Sequence, residues 1–195
     1  MKIAFIIPAA GLSRRQSLNK LIDNIDGKPV IQKTIETYLA NKGDIFLITG
    51  HESEKVIQSL DRELLHQITV LHNPHYHNGL ASSVKIGIHH AKATCDYYGF
   101  GLGDKPFIQP ETVDYLCGKI KKEKPLILIP TYKDNVGHPT FFSISLYEEF
   151  GKIHGDSGGR EIIKAHQGEV YYCSVNDPGI ILDMDLYYSR DSHEY

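Results

Sequence analysis

The sequence predicts an α/β fold, a mostly parallel sheet with helices on both faces. Three observations predict it. Short apolar runs of strand length alternate with amphipathic stretches of helical spacing along the chain. Three of those runs, Ile3–Ile7, Ile45–Ile48 and Leu126–Ile129, are continuously apolar, as strands buried on both faces are. No Pro/Gly/Ser linker or internal repeat divides the 195 residues, so 1–195 is expected to form a single domain.

Each element has its own signal. Ile3–Ile7 reads as the first strand, with Gly11 following it. From Pro29 to Tyr38, apolar residues at Val30, Ile31, Ile35 and Tyr38 keep helical spacing. Ile45–Ile48 is a second buried strand closed by Thr49-Gly50, and Ser53–Leu60 a helix expected to be capped by Ser53. Ile68–Leu71 is a third strand. Leu80–Ala93 follows as a helix with Val84, Ile88 and Ala91 on one face. Tyr97–Leu102 is strand-like and ends at Gly103-Asp104, and Pro110 stands in the first turn of the next helix. Leu126–Ile129 and Thr140–Ile144 are strands, Gly158-Gly159 precedes an amphipathic stretch to Ala165, and Val170–Val175 and Ile180–Leu182 are the last short runs.

Composition excludes several classes. A net charge of -3 argues against a general nucleic-acid binder. No apolar run approaches the ~20 residues of a membrane span, and the first is too short for a signal peptide. Cys95, Cys117 and Cys173 form no C-x-x-C pair, which suits unremarkable thiols in a cytoplasmic protein. The 11 histidines, including His72, His75, His77 and His89-His90, match no zinc pattern and are expected in loops and on the surface.

In sheets of this kind ligands sit at the carboxyl ends of the strands, so the residues just after each strand carry the functional argument. After the first come Ala9, Ala10 and Gly11, small enough for backbone N–H groups to approach phosphate oxygens. Ser13 adds a hydroxyl, and Arg14, Arg15 and Lys20 add positive charge suited to a polyphosphate. The loop is neither G-x-G-x-x-G nor a Walker A sequence. Asp104, at the end of a strand, is a candidate magnesium ligand or a simple turn aspartate. Asp183 and Asp185 follow Gly179–Leu182; on a strand their side chains would share a face and could join Asp104 at a metal. Hydroxyls at Ser82 and Ser83 open a helix, Gly137-His138-Pro139 is a rigid turn presenting an imidazole, and Gly155–Arg160 leads into a helix N-terminus.

Together these segments resemble the molybdenum cofactor cytidylyltransferases of the nucleotidyltransferase superfamily, from about Ile3 to Leu186. That family's A-A-G-x-S-x-R-M-G-x-x-K loop is matched at Ala9, Ala10, Gly11, Ser13, Arg15 and Lys20. Its T-G-H is matched by Thr49-Gly50-His51, and its N-P-x-Y-x-x-G-x-x-S-S by Asn73 to Ser83 with Gly79. Its G-D-x-P corresponds to Gly103–Pro106, its G-H-P to Gly137-His138-Pro139, its G-D-x-G-x-R to Gly155–Arg160 with Asp156, and its D-x-D to Asp183-Met184-Asp185. Three departures stand out: Gln16-Ser17 for Met-Gly, Lys105 for Met or Gln, and Leu186-Tyr187 for Thr-Pro.

The resemblance implies a Rossmann-like fold of the nucleotide-diphospho-sugar transferase type. It also implies transfer of CMP from CTP to the terminal phosphate of molybdopterin, with release of pyrophosphate. It casts Arg15, Lys20 and Asp104 as catalytic residues. Ala9, Ala10, Gly11, Ser13, Lys20, Thr49, Asn73, Gly79, Ser83 and Asp104 would bind the nucleotide. Gly137, His138, Pro139, Asp156 and Arg160 would face the acceptor. Asp104, Asp185 and Asp183 would hold Mg2+, or Mn2+. A transient contact with a molybdenum hydroxylase or its chaperone is a further expectation. The alternatives are guanylyl transfer, an isoprenoid or sugar phosphate as acceptor, an NAD(P)-dependent oxidoreductase, and a non-catalytic carrier of the cofactor.

Overall fold

A computed structural model of the protein describes residues 1–11, 19–41 and 43–191, the last two by their backbone only. In chain order its elements begin with β1 (Ile3–Ala9), the short pair β2 (Asn24–Ile25) and β3 (Lys28–Pro29), α1 (Val30–Leu39) and β4 (Asp44–Thr49). There follow α2 (Ser53–Gln58), α3 (Arg62–Leu65), β5 (Thr69–His72), α4 (Leu80–Ala91), β6 (Tyr97–Phe100) and α5 (Pro110–Glu123). The chain continues through β7 (Ile127–Tyr132), β8 (Asn135–Val136), β9 (Thr140–Ser143), α6 (Tyr147–Phe150), α7 (Arg160–Ala165), β10 (Val170–Ser174) and α8 (Met184–Asp191).

The main sheet runs β10-β7-β9-β6-β1-β4-β5, with β8 added to β7. Strands β5, β4, β1 and β6 are mutually parallel, as are β7 and β10. Alternation along β1 divides its side chains between two layers. Ile3, Phe5 and Ile7 pack with Ile31, Ile35 and Tyr38 of α1 and with Val113 and Leu116 of α5. Ala4 and Ile6 pack with Ala81, Val84 and Ile88 of α4. Both faces are therefore covered, as continuous apolar strands require. Aromatic rings tie the layers: Phe5 lies 4.9 Å from Tyr38, and Phe100, Phe142 and Phe150 form a three-ring cluster on the other side.

Two strands, β8 and β9, run against the rest. β9 pairs antiparallel with both β6 and β7. The reversal starts at Lys133-Asp134, both at positive φ (46° and 65°), which is the backbone of a two-residue hairpin between β7 and β8. Two expected elements differ. The helix at Ser53 has Glu52 as its N-cap, in the left-handed region, while the Ser53 hydroxyl donates to Thr49 Oγ1 at 2.8 Å. The run Ile180–Leu182 is not a strand. Buried Asp177 accepts from Gly179 N (2.8 Å) and Gln109 N (3.0 Å), which winds Pro178–Ile180 into a 3-10 turn, and α8 begins at Met184. Among the described residues no helix is long and apolar enough to cross a membrane.

Candidate active site

The carboxyl ends of β1 and β6 open into a cavity of about 630 Å³. Pro8, Ala9, Ala10 and Gly11 form one wall. Leu102, Gly103 and Asp104 form the next, Tyr76 to Leu80 with Ser83 face them, and Gly155-Asp156 complete the rim. Lys20 and Asp185 close the floor.

The charged centre is Lys20. Its Nζ lies 2.7 Å from Asp104 Oδ2 and 3.1 Å from Asp185 Oδ1. Burial works to lower the lysine's pKa, but the two carboxylates, Asp104 first, outweigh it and hold the pKa above the ordinary lysine value. The pair of aspartates comes from distant parts of the chain. Asp104 ends the segment after β6, and its carbonyl accepts from Met184 N at 3.1 Å. That bond docks the start of α8, where Met184 is fully buried against Ile25 and Val30 and Tyr187 stacks on Phe107 at 5.1 Å. Asp185 is thereby delivered to Lys20. Asp183 is not: its Oδ1 accepts from Leu186 N at 2.9 Å, at the start of α8. Of the three aspartates expected at a metal, Asp104 and Asp185 meet at Lys20, while Asp183 accepts at the start of α8, where a helix replaces the anticipated strand. Among the described residues no three His, Cys, Asp or Glu side chains come together as a metal cluster.

Two carboxylates converging on one cationic nitrogen still suit a magnesium- or manganese-type ion. Such ions take one or two protein carboxylates and complete their shell with water and substrate phosphates. Lys20 holds the intervening position in this structure.

Several expected contacts turn out to be internal supports. Thr49 and Asn73 are fully buried. Asn73 Nδ2 donates to Ser82 Oγ (2.8 Å) and Ser83 Oγ (2.9 Å), its Oδ1 accepts from His75 N, and its backbone N donates to Thr49 O. It fastens the end of β5 to the start of α4 and has no surface to offer a nucleotide. Ser83 also lines the cavity, though only 3% exposed. Gly79 has φ 88° and ψ 179°, a region open to glycine alone. A Cβ there would lie 2.5 Å from Gly155 C and 2.6 Å from Asp156 Oδ1. The close approach lets Asp156 Oδ1 accept from Leu80 N and Gly155 O accept from Ala81 N. Asp156 thus caps α4 from the cavity rim.

Gly137, His138 and Pro139 lie beside the cavity rather than in its wall. His138 N donates to Ile180 O at 3.0 Å, and its Nδ1 is 3.3 Å from Phe100 O. Burial, with the Lys105 charge second, pushes the imidazole pKa down to about 4. Arg160 is exposed at the start of α7 and outside the cavity lining. Ser13 and Arg15 lie outside the described residues. Tyr76 and His77, whose rings stand 3.9 Å apart, line the cavity although neither was among the expected site residues. Tyr76 is the tyrosine of the Asn73–Ser83 motif, while His77 had only its position just beyond the β5 end as a signal. The thiols are quiet: burial pushes Cys95 up to about 11 and Cys117 up to about 12.

Residues 5–170 match the family model described as the MobA-like NTP transferase domain. The chain is 24% identical over 180 residues to the molybdenum cofactor cytidylyltransferase of Escherichia coli (strain K12), covering 92% of this chain and 89% of that protein. It is 32% identical over 142 residues to a protein of Pyrococcus furiosus named "Probable molybdenum cofactor guanylyltransferase", covering 72% and 67%. In structure it is similar to Rv0371c from Mycobacterium tuberculosis H37Rv, with a TM-score of 0.81 at 22% identity over 98% of this chain and 96% of that one. A second structure of that neighbour, at TM-score 0.76 and 20% identity over 97% of each chain, is a complex with manganese.

Proposed function

We propose the reaction from one premise: the chain belongs to the MobA-like NTP transferase family, and is a nucleotidyltransferase enzyme. The reading is transfer of CMP from CTP to the terminal phosphate of molybdopterin, with the whole chain acting as one domain. The observation that carries it is Lys20 held between Asp104 and Asp185 on the floor of a cavity walled by the β1 loop. In the reaction an oxygen of the acceptor's phosphate attacks the α-phosphorus of the triphosphate. A new P–O bond forms, the bond between the α-phosphorus and its bridging oxygen breaks, and that oxygen leaves with pyrophosphate.

The acceptor is already anionic at neutral pH, so no strong base is called for. The task is to bring two anions together in line. The backbone N–H groups of Ala10 and Gly11 would cradle the phosphates, and Lys20 would swing from the carboxylates to the β- and γ-phosphates. Asp104 and Asp185 would then hold a divalent cation, which neutralises the triphosphate and the departing pyrophosphate. Gly79 and the Asn73–Ser83 contacts keep α4 against the cavity, and Tyr76 and His77 form its outer wall.

A guanylyl reading is the second, favoured by the 32% identity to the Pyrococcus protein. The deciding measurement is pyrophosphate release from CTP, GTP and ATP with molybdopterin, each with Mg2+ and with Mn2+. Release with CTP alone supports the cytidylyl reading, and release with GTP alone transfers the assignment to guanylyl transfer. No release with any nucleotide, from a protein that is folded and binds molybdopterin, overturns the transferase reading.

A further inference from the structure

We infer that the Tyr76–His77 ring pair is the platform on which the nucleotide's base stacks. This rests on the nucleotidyl-transfer reading above and deepens it.

Both residues line the cavity, and their ring centroids stand 3.9 Å apart at an interplanar angle of 35°. Tyr76 thus covers one face of the imidazole. His77 is itself exposed, and among the described residues its ring nitrogens make no hydrogen bond or ion pair. Its second face is therefore free for a ligand. A flat ring backed by another ring, at the wall of a cavity, suits a planar aromatic group.

The pair is held from three sides. Tyr76–Asn78 wind into a 3-10 turn, in which Asn78 N donates to His75 O at 2.9 Å. Behind the turn, buried Asn73 accepts from His75 N at 2.9 Å, and Ser82 Oγ donates to His75 O at 3.1 Å. The third constraint is Gly50. A Cβ there would lie 2.7 Å from the Cβ atoms of both Ala10 and Tyr76, so the missing side chain is what lets those two residues close on it. His51 N completes the junction by donating to Ala10 O at 3.5 Å. The Thr49-Gly50-His51 segment, whose threonine offers no surface to a ligand, thereby presses Tyr76 against the β1 loop.

That contact sets the direction of the ligand. Lys20, Asp104 and Asp185 mark the triphosphate end of the cavity, and Ala10 and Gly11 line the wall beside it. Tyr76 abuts Ala10, so a nucleotide with its phosphates on the β1 loop brings its base to the ring pair. The residues expected at the acceptor, Gly137–Pro139 and Arg160, lie outside this lining, which leaves the ring pair to the nucleotide. Stacking on an aromatic side chain tolerates any base, because every base has a π-face. The platform therefore adds affinity without choosing between CTP and GTP.

The test uses the full chain with Mg2+ and no acceptor. CTP, GTP and inorganic tripolyphosphate are titrated by calorimetry into wild type, His77→Ala, His77→Leu and His77→Phe, and each protein is also melted without ligand. For whichever nucleotide wild type binds, affinity is expected to fall about tenfold in the Ala and Leu variants and to stay within about twofold in the Phe variant. Tripolyphosphate affinity should not move in any of them, and ligand-free melting should match wild type, since the side chain is exposed. Unchanged nucleotide affinity in the Ala and Leu variants overturns the proposal. So does an equal loss in the Phe variant, which would make the imidazole nitrogens the contact rather than the ring. An equal loss for nucleotide and tripolyphosphate overturns it by placing His77 at the phosphates. A loss confined to variants that melt below wild type does so too, since the ring would then be holding the turn. Failure of wild type to bind either nucleotide removes the transferase reading, and the proposal with it.

Discussion

Lys20 is held by two aspartates more than eighty positions apart in sequence, and removing either one changes what remains. Asp104 is the closer partner and sits at the end of a turn, not in the core. Asp104→Ala is expected to lower turnover by about 100-fold or more, the scale of losing a preorganised electrostatic contact, with the fold intact. Steady-state pyrophosphate release alongside circular dichroism checks both halves. His138 makes a stability prediction. Its folded pKa is depressed to about 4 from 6.5, so the fold favours the neutral ring. Above pH 6.5 both states are neutral and the group contributes nothing. As the pH falls from 6.5 towards 4, the unfolded chain takes up a proton that the folded chain refuses, and stability drops. At pH 5 the loss from this one ring is about 2 kcal/mol. Urea melts of wild type and His138→Gln at pH 7 and pH 5 should show the smaller acid loss in the variant.

At the scale of elements, the α4 N-terminus shows how the site is assembled. Its first amides are satisfied by Gly155 and Asp156 across the contact that Gly79 permits. Gly79→Ala is expected to cost about 3 kcal/mol, from backbone strain and displacement of that loop. Gly118, exposed in α5 with nothing near its missing Cβ, provides the contrast. Gly118→Ala should stabilise by about 0.5–1 kcal/mol, so denaturant melts of the two variants should move in opposite directions. The same contrast marks what the sequence could reveal. Continuous apolar runs announced β1, β4 and β7, because burial on both faces leaves no alternative composition. The reversal of β9 was hidden, since its turn uses Lys133 and Asp134 at positive φ with no glycine to signal it. The apolar triplet Ile180–Leu182 reads equally as strand or turn, and buried Asp177 decides the matter through contacts far away in sequence. Thr49 and Asn73 looked like ligand contacts because a motif does not distinguish a satisfied buried amide from one facing a cavity.

The whole molecule closes its candidate site by bringing its two ends together. Lys20 comes from the segment after β1, Asp104 from the middle of the chain, and Asp185 from α8, which lies beyond the matched residues 5–170. α8 contributes no strand, since the last strand of the sheet is β10, ending at Ser174. Its attachments are local: Met184 buried against Ile25 and Val30, Tyr187 stacked on Phe107, and the Tyr188 hydroxyl donating to Asp23. Removing it should therefore separate folding from function. A chain ending at Leu182 keeps every sheet pairing, loses the second partner of Lys20, and uncovers the small cluster around Val30. Burying a Met-sized side chain contributes roughly 1.5–3 kcal/mol, so the truncated chain should melt several degrees lower yet retain a cooperative transition. Its transfer activity should fall further than its stability predicts, because Asp104 alone remains to face Lys20 and any divalent ion. Removing Asp185 as the only change, with Asp185→Ala in the full chain, separates the two effects: the point variant should lose activity as the truncation does while melting like wild type. Full activity in Asp185→Ala would show that α8 acts only as a brace against Val30, and that Asp104 carries the charge balance of the site alone.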